Sequence, residues 1–257
     1  MLDKMSLVGH LTDLRKRLIY VVITFVVMFA ASLIFVNKIY SYLVSPVRHE
    51  HLKLMVVSPG EVITVYFMVA GFVTVGLSLP VVLYHLWKFV SPGLTLAERR
   101  YVRRLLPAMM MMFVLGVLFA WYFIFPTIFY FLVHLSQMHF NVQLRADHYF
   151  GFLVNICLPF GFIFELPIVV IFLTMIDVIR PRLMRKMRRY AYMVIIILGV
   201  FISPPELVSH LSVVTPMILL YEISILLSAV VSRRKRRQRE KEEAKEREET
   251  SSSEHDE

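Results

Sequence analysis

Glu165 stands in the stretch Leu158-Pro-Phe-Gly-Phe-Ile-Phe-Glu-Leu-Pro167, inside an apolar run over residues 151–176 that holds no other Asp, Glu, Lys, Arg or His. At ~1.5 Å per helical residue the acid lies roughly 21 Å into that run, near the middle of a ~30 Å hydrocarbon layer. A carboxylate at such depth is costly unless it is neutral, paired or facing a water-filled hollow. Pro159 and Pro167 flank it and each lacks a backbone N–H, so the helix is expected to kink on both sides. Pro167 also frees the carbonyl of Ile163 beside the acid. An intramembrane acid marks a functional site. The structural alternative is a glutamic acid satisfied inside a helix bundle.

Two further acids sit just outside apolar segments. Glu98 closes Thr95-Leu-Ala-Glu98, a capping-box pattern, and Asp13 is placed four residues before Arg17, the spacing of a helical ion pair. Enzyme chemistry has little to stand on. The single cysteine, Cys157, lies in an apolar run, which excludes disulfides, zinc clusters and CxxC redox chemistry. The nine histidines form no HExxH or comparable ligand spacing. GxSxG, Walker A and GxGxxG patterns are absent from the sequence, as are the paired residues of an intramembrane protease. No catalytic residue, metal or cofactor is expected, and the chain reads as a non-enzyme.

These residues need a membrane scaffold. A mean hydropathy of +0.66 and 58% hydrophobic residues exclude an ordinary soluble domain. The pattern predicts an all-α polytopic fold with six transmembrane helices. An amphipathic N-terminus over 1–17 leads into a first span over 18–36. Ser58-Pro-Gly-Glu61, a capping box with proline at the first helical position, starts the second span, which runs to about residue 79, bends at Pro80 and continues to residue 90. Thr95 to Glu98 launches the third, over 105–125, with Pro126 ending or bending it and residues 128–135 as a helical extension at the surface. The fourth carries Glu165. The fifth, over 190–202, is short enough to imply local bilayer thinning. Ser203-Pro-Pro-Glu206 is a third capping box and opens the sixth, which ends near residue 231. Residues 18–231 thus form the membrane domain, and 232–257 a charged tail, disordered or a fraying helix.

Charge sets the orientation. Of the 28 Lys and Arg, 24 fall in alternate segments: the N-terminus, the second and fourth loops and the tail. By the positive-inside rule those four face the cytoplasm, so both termini are inside. Arg99, Arg100, Arg103 and Arg104, and the basic cluster of the fourth loop over 177–189, serve topology and contact with anionic lipid. Trp87 and Trp121 fit interfacial anchors, and Gly71 and Gly76 permit close helix approach.

Several segments together resemble the TatC family, the multispanning subunit of the twin-arginine protein translocase. They are His10-Leu-Thr-Asp-Leu-Arg-Lys-Arg-Leu18, Leu79-Pro-Val-Val-Leu-Tyr84, Trp87-Lys-Phe-Val-Ser-Pro92 and Glu98-Arg-Arg100. Further along come Phe123-Ile-Phe-Pro126, Phe164-Glu-Leu-Pro167, Arg185-Lys-Met-Arg-Arg-Tyr190, Ser203-Pro-Pro-Glu206 and Thr215-Pro-Met217. The resemblance implies a receptor in a prokaryotic cytoplasmic membrane that binds signal peptides bearing paired arginines and helps export folded proteins. It implies that Asp13 and Glu98, with Arg15 and Arg99 beside them, form the peptide site, and that Glu165 is the family's intramembrane acid. Pro46 matches a proline of the first external loop, and Pro204, Pro205 and Glu206 a loop before the sixth span. Asp13 replaces the commoner Glu, Glu206 the commoner Asp, and His210 another polar residue. Expected partners are TatA-type and TatB-type single-span subunits, twin-arginine signal peptides, the lipid bilayer and further copies of the chain within a larger complex; no nucleic acid is expected. Val208, Ser209, His210 and Thr215 are the expected interface for a partner helix.

A guanidinium binds best to a carboxylate, and two adjacent arginines project differently and want two separate acids. The competing reading is a solute transporter with Glu165 as its proton or cation site. Such transporters commonly carry internal repeats with broken helices in matching positions. The two halves of this sequence do not echo each other.

Overall fold

The computed structural model describes residues 7–50, 52–90, 96–138, 143–204 and 206–253, without the side chains of 7–11, 90, 96–104, 238–239, 241–243 and 245–253. Helices dominate it: α1 (Leu7–Ile34), α2 (Val36–Leu43), α3 (Ser45–His49), α4 (Pro59–Val90), α5 (Leu96–Phe119), α6 (Phe125–Gln137), α7 (Ala146–Phe164), α8 (Leu166–Met175), α9 (Pro181–Lys186), α10 (Arg188–Ile202) and α11 (Leu207–Ser253). To the expected all-α fold the structure adds β1 (Leu54–Met55) and β2 (Leu144–Arg145), paired in parallel with Leu54 opposite Leu144.

Five stretches are long and apolar enough to cross a membrane: Thr12–Ile34, Pro59–Phe89, Leu105–Gln137, Ala146–Met175 and Leu207–Arg237. The remaining expected span is α10, whose 15 residues reach about 22 Å. The amphipathic N-terminus is no separate element from Leu7 on, because α1 runs from there into the first span without a break. Likewise α11 continues unbroken into the charged tail as far as Ser253.

Two compact units make up the chain, Met1–Glu165 with Gly199–Val213, and Leu166–Leu198 with Val214–Glu257. In the first unit α1 and α4 pair in opposite directions. Ser32 bonds Thr74 at 3.2 Å and, three turns nearer the N-terminus, Tyr20 stacks on His85 at 5.7 Å. The core is a column of fully buried rings and aliphatic chains from Phe113, Phe125, Ile128, Phe150, Leu153, Ile156 and Phe160.

Two glycines bring α5 and α7 together. A Cβ on Gly116 would stand 2.7 Å from the Phe160 carbonyl oxygen, and one on Gly161 the same distance from the Phe113 ring. Gly71 and Gly76, the expected close-approach positions, have only ordinary van der Waals neighbours.

Pro126 does not end the third span. Its ring would clash with the carbonyl four residues back, and a π-helical turn over Ala120–Ile124 widens the ladder just before it. The Thr127 hydroxyl donates to the Phe123 carbonyl at 2.6 Å, and the helix continues as α6. The α6 extension buries one face, with Ile128, Phe129 and Val133, and leaves Thr127, His134 and Leu135 exposed on the other. Trp121 packs between Tyr42 and Phe125 at 8% exposure, so it is a core residue rather than an interfacial anchor.

The second unit has a smaller core. Val170 of α8, Met184 of α9 and Ile225 of α11 meet there, with Ile179 and Tyr221 around them. A buried bond of 2.7 Å joins the Thr174 and Ser228 hydroxyls. The C-terminus of α8 is closed by Asp177 in the left-handed region, φ 59°. Val178 N–H donates to the Leu173 carbonyl and Asp177 N–H to the Thr174 carbonyl, the Schellman pattern with Asp where glycine is usual.

Candidate functional site

Asp13 lies in the second turn of α1 and Glu98 in the first turn of α5. Because α1 and α4 are antiparallel and α5 follows α4, both acids belong to one end of the first unit. The Asp13 Oδ2 accepts from Arg17 Nε at 2.8 Å and Nη2 at 2.6 Å, the ion pair expected from their spacing. The Arg17 side chain is only 13% exposed, and its Nη1 is buried without a partner among the described residues. Arg15 is exposed on the same helix. Glu98 and Arg99 sit in helical backbone, but their side chains lie outside the described residues, as do Thr95 and therefore its capping box.

Glu165 interrupts the fourth span. The helix runs unbroken through Pro159 and stops at Glu165, so of the two expected kinks only the Pro167 side breaks the element. Glu165 N–H turns to the Phe162 carbonyl, three residues back at 3.1 Å. Glu165 is 7% exposed, and among the described residues neither carboxylate oxygen has a well-formed hydrogen-bond partner. An acid in that state is not satisfied by its own unit.

A second group of orphaned polar atoms lies around the start of α11. Ser203 closes α10, its hydroxyl donating to the Gly199 carbonyl at 2.9 Å, so it does not cap α11. The expected capping box is therefore not formed, and α11 begins only after Glu206. Ser203 Oγ also lies 3.4 Å from His210 Nδ1. Ser209 Oγ and Glu206 Oε2 are buried without partners among the described residues. Val208 and Thr215 are exposed, Pro204 is half-buried, and Pro205 lies outside the described residues. Pro46 is buried in the first turn of α3.

The family model of the Sec-independent protein translocase protein (TatC) matches residues 9–216. The chain belongs to the TatC family. It is 39% identical over 228 residues to TatCd of Bacillus subtilis strain 168, covering 89% of this chain and 93% of that one. TatC of Escherichia coli K12 is 30% identical, with 88% and 89% covered. The crystal structure of a twin-arginine translocase receptor, TatC, superposes with a TM-score of 0.78 at 30% identity, over 87% of this chain and 99% of that one. TatC is a membrane-embedded, multi-pass component of the Tat translocase and not an enzyme family, and the solute-transporter reading is not favoured.

In this TatC chain Glu61 is a residue whose larger role sequence reasoning missed. As the third helical residue of α4 it was expected to serve its own N-cap. Its Oε2 accepts instead from Val57 N–H, at 2.9 Å, and its Oε1 from Asp147 N–H across the fold, at 3.4 Å. Arg145, paired with Asp147 at 2.8 Å, approaches the same carboxylate at 3.7 Å. The group clamps the β1 loop to the start of α7, next to the β1–β2 ladder. Arg145 was the one signal available, as the sole cation in its loop.

Proposed function

We propose that this chain is the signal-peptide receptor of a twin-arginine translocase, with six spans and both termini in the cytoplasm. The observation that carries the reading is the placement of Asp13 and Glu98 at one end of the first unit, in a member of the TatC family. Two carboxylates on different helices match two adjacent guanidiniums that point in different directions. Each charge-assisted hydrogen bond contributes about 1.5–3 kcal/mol, and a planar guanidinium presents two parallel donors that match both oxygens of a carboxylate, a geometry the tetrahedral donors of an ammonium lack. Arg15 and Arg99, beside the acids in sequence, complete the proposed peptide site.

The apolar part of the peptide then enters the bundle towards Glu165. An acid with two unsatisfied oxygens supports a role for it as the contact that an incoming peptide or partner helix completes. TatA-type and TatB-type single-span subunits are the proposed partners. Their interface is formed by Val208, Ser209, His210 and Thr215, with Pro204, Pro205 and Glu206 shaping its edge and Pro46 the external loop opposite. The exposure of Val208 and Thr215 and the half-buried polar His210 beside them support this, because a cross-helix hydrogen bond in a membrane contributes about 1 kcal/mol.

Peptide binding tests the reading. Wild-type protein should prefer an arginine-pair peptide to its lysine-pair counterpart, and Asp13→Ala/Glu98→Ala should bind both equally poorly. An arginine preference that survives the double change places recognition elsewhere. Crosslinks from positions 208 and 210 to a single-span subunit test the interface, and crosslinks to lipid alone count against it.

A further inference from the structure

The second unit carries more cations than its own carboxylates neutralise, and they are not scattered. Lys235, on the outer part of α11, reaches Asp177 Oδ2 at 2.6 Å and the Met175 carbonyl at the end of α8. Arg188, at the start of α10, is taken by Glu222 at 2.7 Å. Both local acids are thereby engaged. Arg180, Arg182, Arg185 and Lys186 are left exposed, with no carboxylate partner among the described residues.

The depth of α9 follows from its packing. Its inward residue, Met184, is 7% exposed and sits in the core formed with Val170 and Ile225, both inside membrane-crossing stretches. The Tyr221 hydroxyl donates to the Met184 carbonyl at 3.1 Å, fixing the same element. The segment between α8 and α10 is too short to stand away from the bilayer. The outward side of α9 and its flanks alternates cations with exposed apolar chains: Val178, Leu183, Met187 and Tyr190 are each between 46% and 62% exposed. A surface facing water alone gains nothing from those apolar groups. A soluble acidic partner would fit the cations and leave the depth unexplained. An interfacial element places apolar side chains among acyl chains and cations at the headgroups.

We propose that α9 and its flanks form a docking site for anionic phospholipid, with Arg182, Arg185 and Lys186 holding the headgroup phosphates. Leu183 and Met187 enter the acyl layer beneath them. The site anchors the membrane end of the shortest span, α10.

A tryptophan introduced at the centre of the site reads this directly with every cation in place. The Leu183→Trp chain is reconstituted in phosphatidylcholine vesicles containing a minor share of phosphatidylglycerol, with bromine on the chains of one lipid or the other. The difference in fluorescence from the parent chain reports position 183. Brominated phosphatidylglycerol should quench well beyond its share of the lipid, and high salt should remove the excess. Quenching in proportion to lipid share overturns the proposal. In a second measurement, the detergent-purified chain is assayed for retained phosphatidylglycerol against phosphatidylcholine. Arg182→Gln/Arg185→Gln/Lys186→Gln, shown to keep the wild-type melting profile, should lose about fivefold in preference per cation removed. An unchanged preference overturns the assignment of these residues. If the triple variant does not fold, the tryptophan measurement decides alone.

Discussion

Asp13 and Arg17 are joined through one carboxylate oxygen that accepts two hydrogen bonds from the guanidinium, at 2.6 and 2.8 Å. The acid proposed to read a peptide arginine thus already holds an arginine of its own helix. Binding of the peptide has to loosen or share that pair. A partly exposed ion pair contributes only ~0.2–1 kcal/mol, so the competition is mild. Arg17→Gln should therefore tighten binding of an arginine-pair peptide by up to about fivefold, measured as a Kd at low salt. Weaker binding in the variant would show that Arg17 positions Asp13 rather than competing for it.

The approach of α5 to α7 gives an ordered pair of stability predictions. At Gly116 the obstacle to a Cβ is the backbone carbonyl of Phe160, which moves only if a helix moves; at Gly161 it is the Phe113 ring, which can tilt. Gly116→Ala should therefore lower stability by about 2–3 kcal/mol and Gly161→Ala by about 1 kcal/mol. Thermal melts of the detergent-purified chain check the order. Equal effects, or a milder one at Gly116, would contradict the close approach.

Much of this scaffold was legible because a bilayer leaves helices little choice, and apolar runs of sufficient length announce themselves. The Asp13–Arg17 pair followed from spacing alone. Which side of a helix meets protein and which meets lipid did not, since both surroundings are equally apolar and periodicity loses its contrast. Trp121 therefore read as an interfacial anchor and is a core residue, while Gly116 and Gly161 went unremarked beside Gly71 and Gly76. Ser203-Pro-Pro-Glu206 has the letters of a capping box, but its serine hydroxyl was claimed by the helix before it. The span of Glu61 to Asp147 could not be seen locally, because 86 residues separate its ends.

Glu165 should separate stability from function. Its buried, unpartnered carboxylate burdens the isolated chain, and a non-polar replacement of similar size removes that burden. Glu165→Leu is expected to stabilise the purified protein by about 1–3 kcal/mol while abolishing transport. Glu165→Gln keeps shape and hydrogen bonding and should transport better than Glu165→Ala. Wild-type transport by the alanine variant would mean that the acid is merely tolerated.

Whether α10 crosses the membrane decides the topology. Its 15 residues reach about 22 Å, less than a ~30 Å hydrocarbon layer, so a crossing requires the bilayer to thin or polar ends to snorkel. Its first turn carries Arg188 and Arg189, and Ser203 follows its end, so its two ends differ strongly in charge. The same asymmetry places 24 of 28 cations on one side of a six-span arrangement. A five-span chain would instead put α9 and the start of α11 on the same face. Single cysteines in a Cys157→Ser background settle this with a membrane-impermeant thiol reagent on intact cells. Cysteines near Lys53, Arg145 and Glu206 should be labelled from outside, and those near Glu98, Met187 and the tail only after the cells are opened. Labelling near Glu206 only in opened cells, with Arg145 still external, would leave α10 on the cytoplasmic side and reduce the chain to five spans.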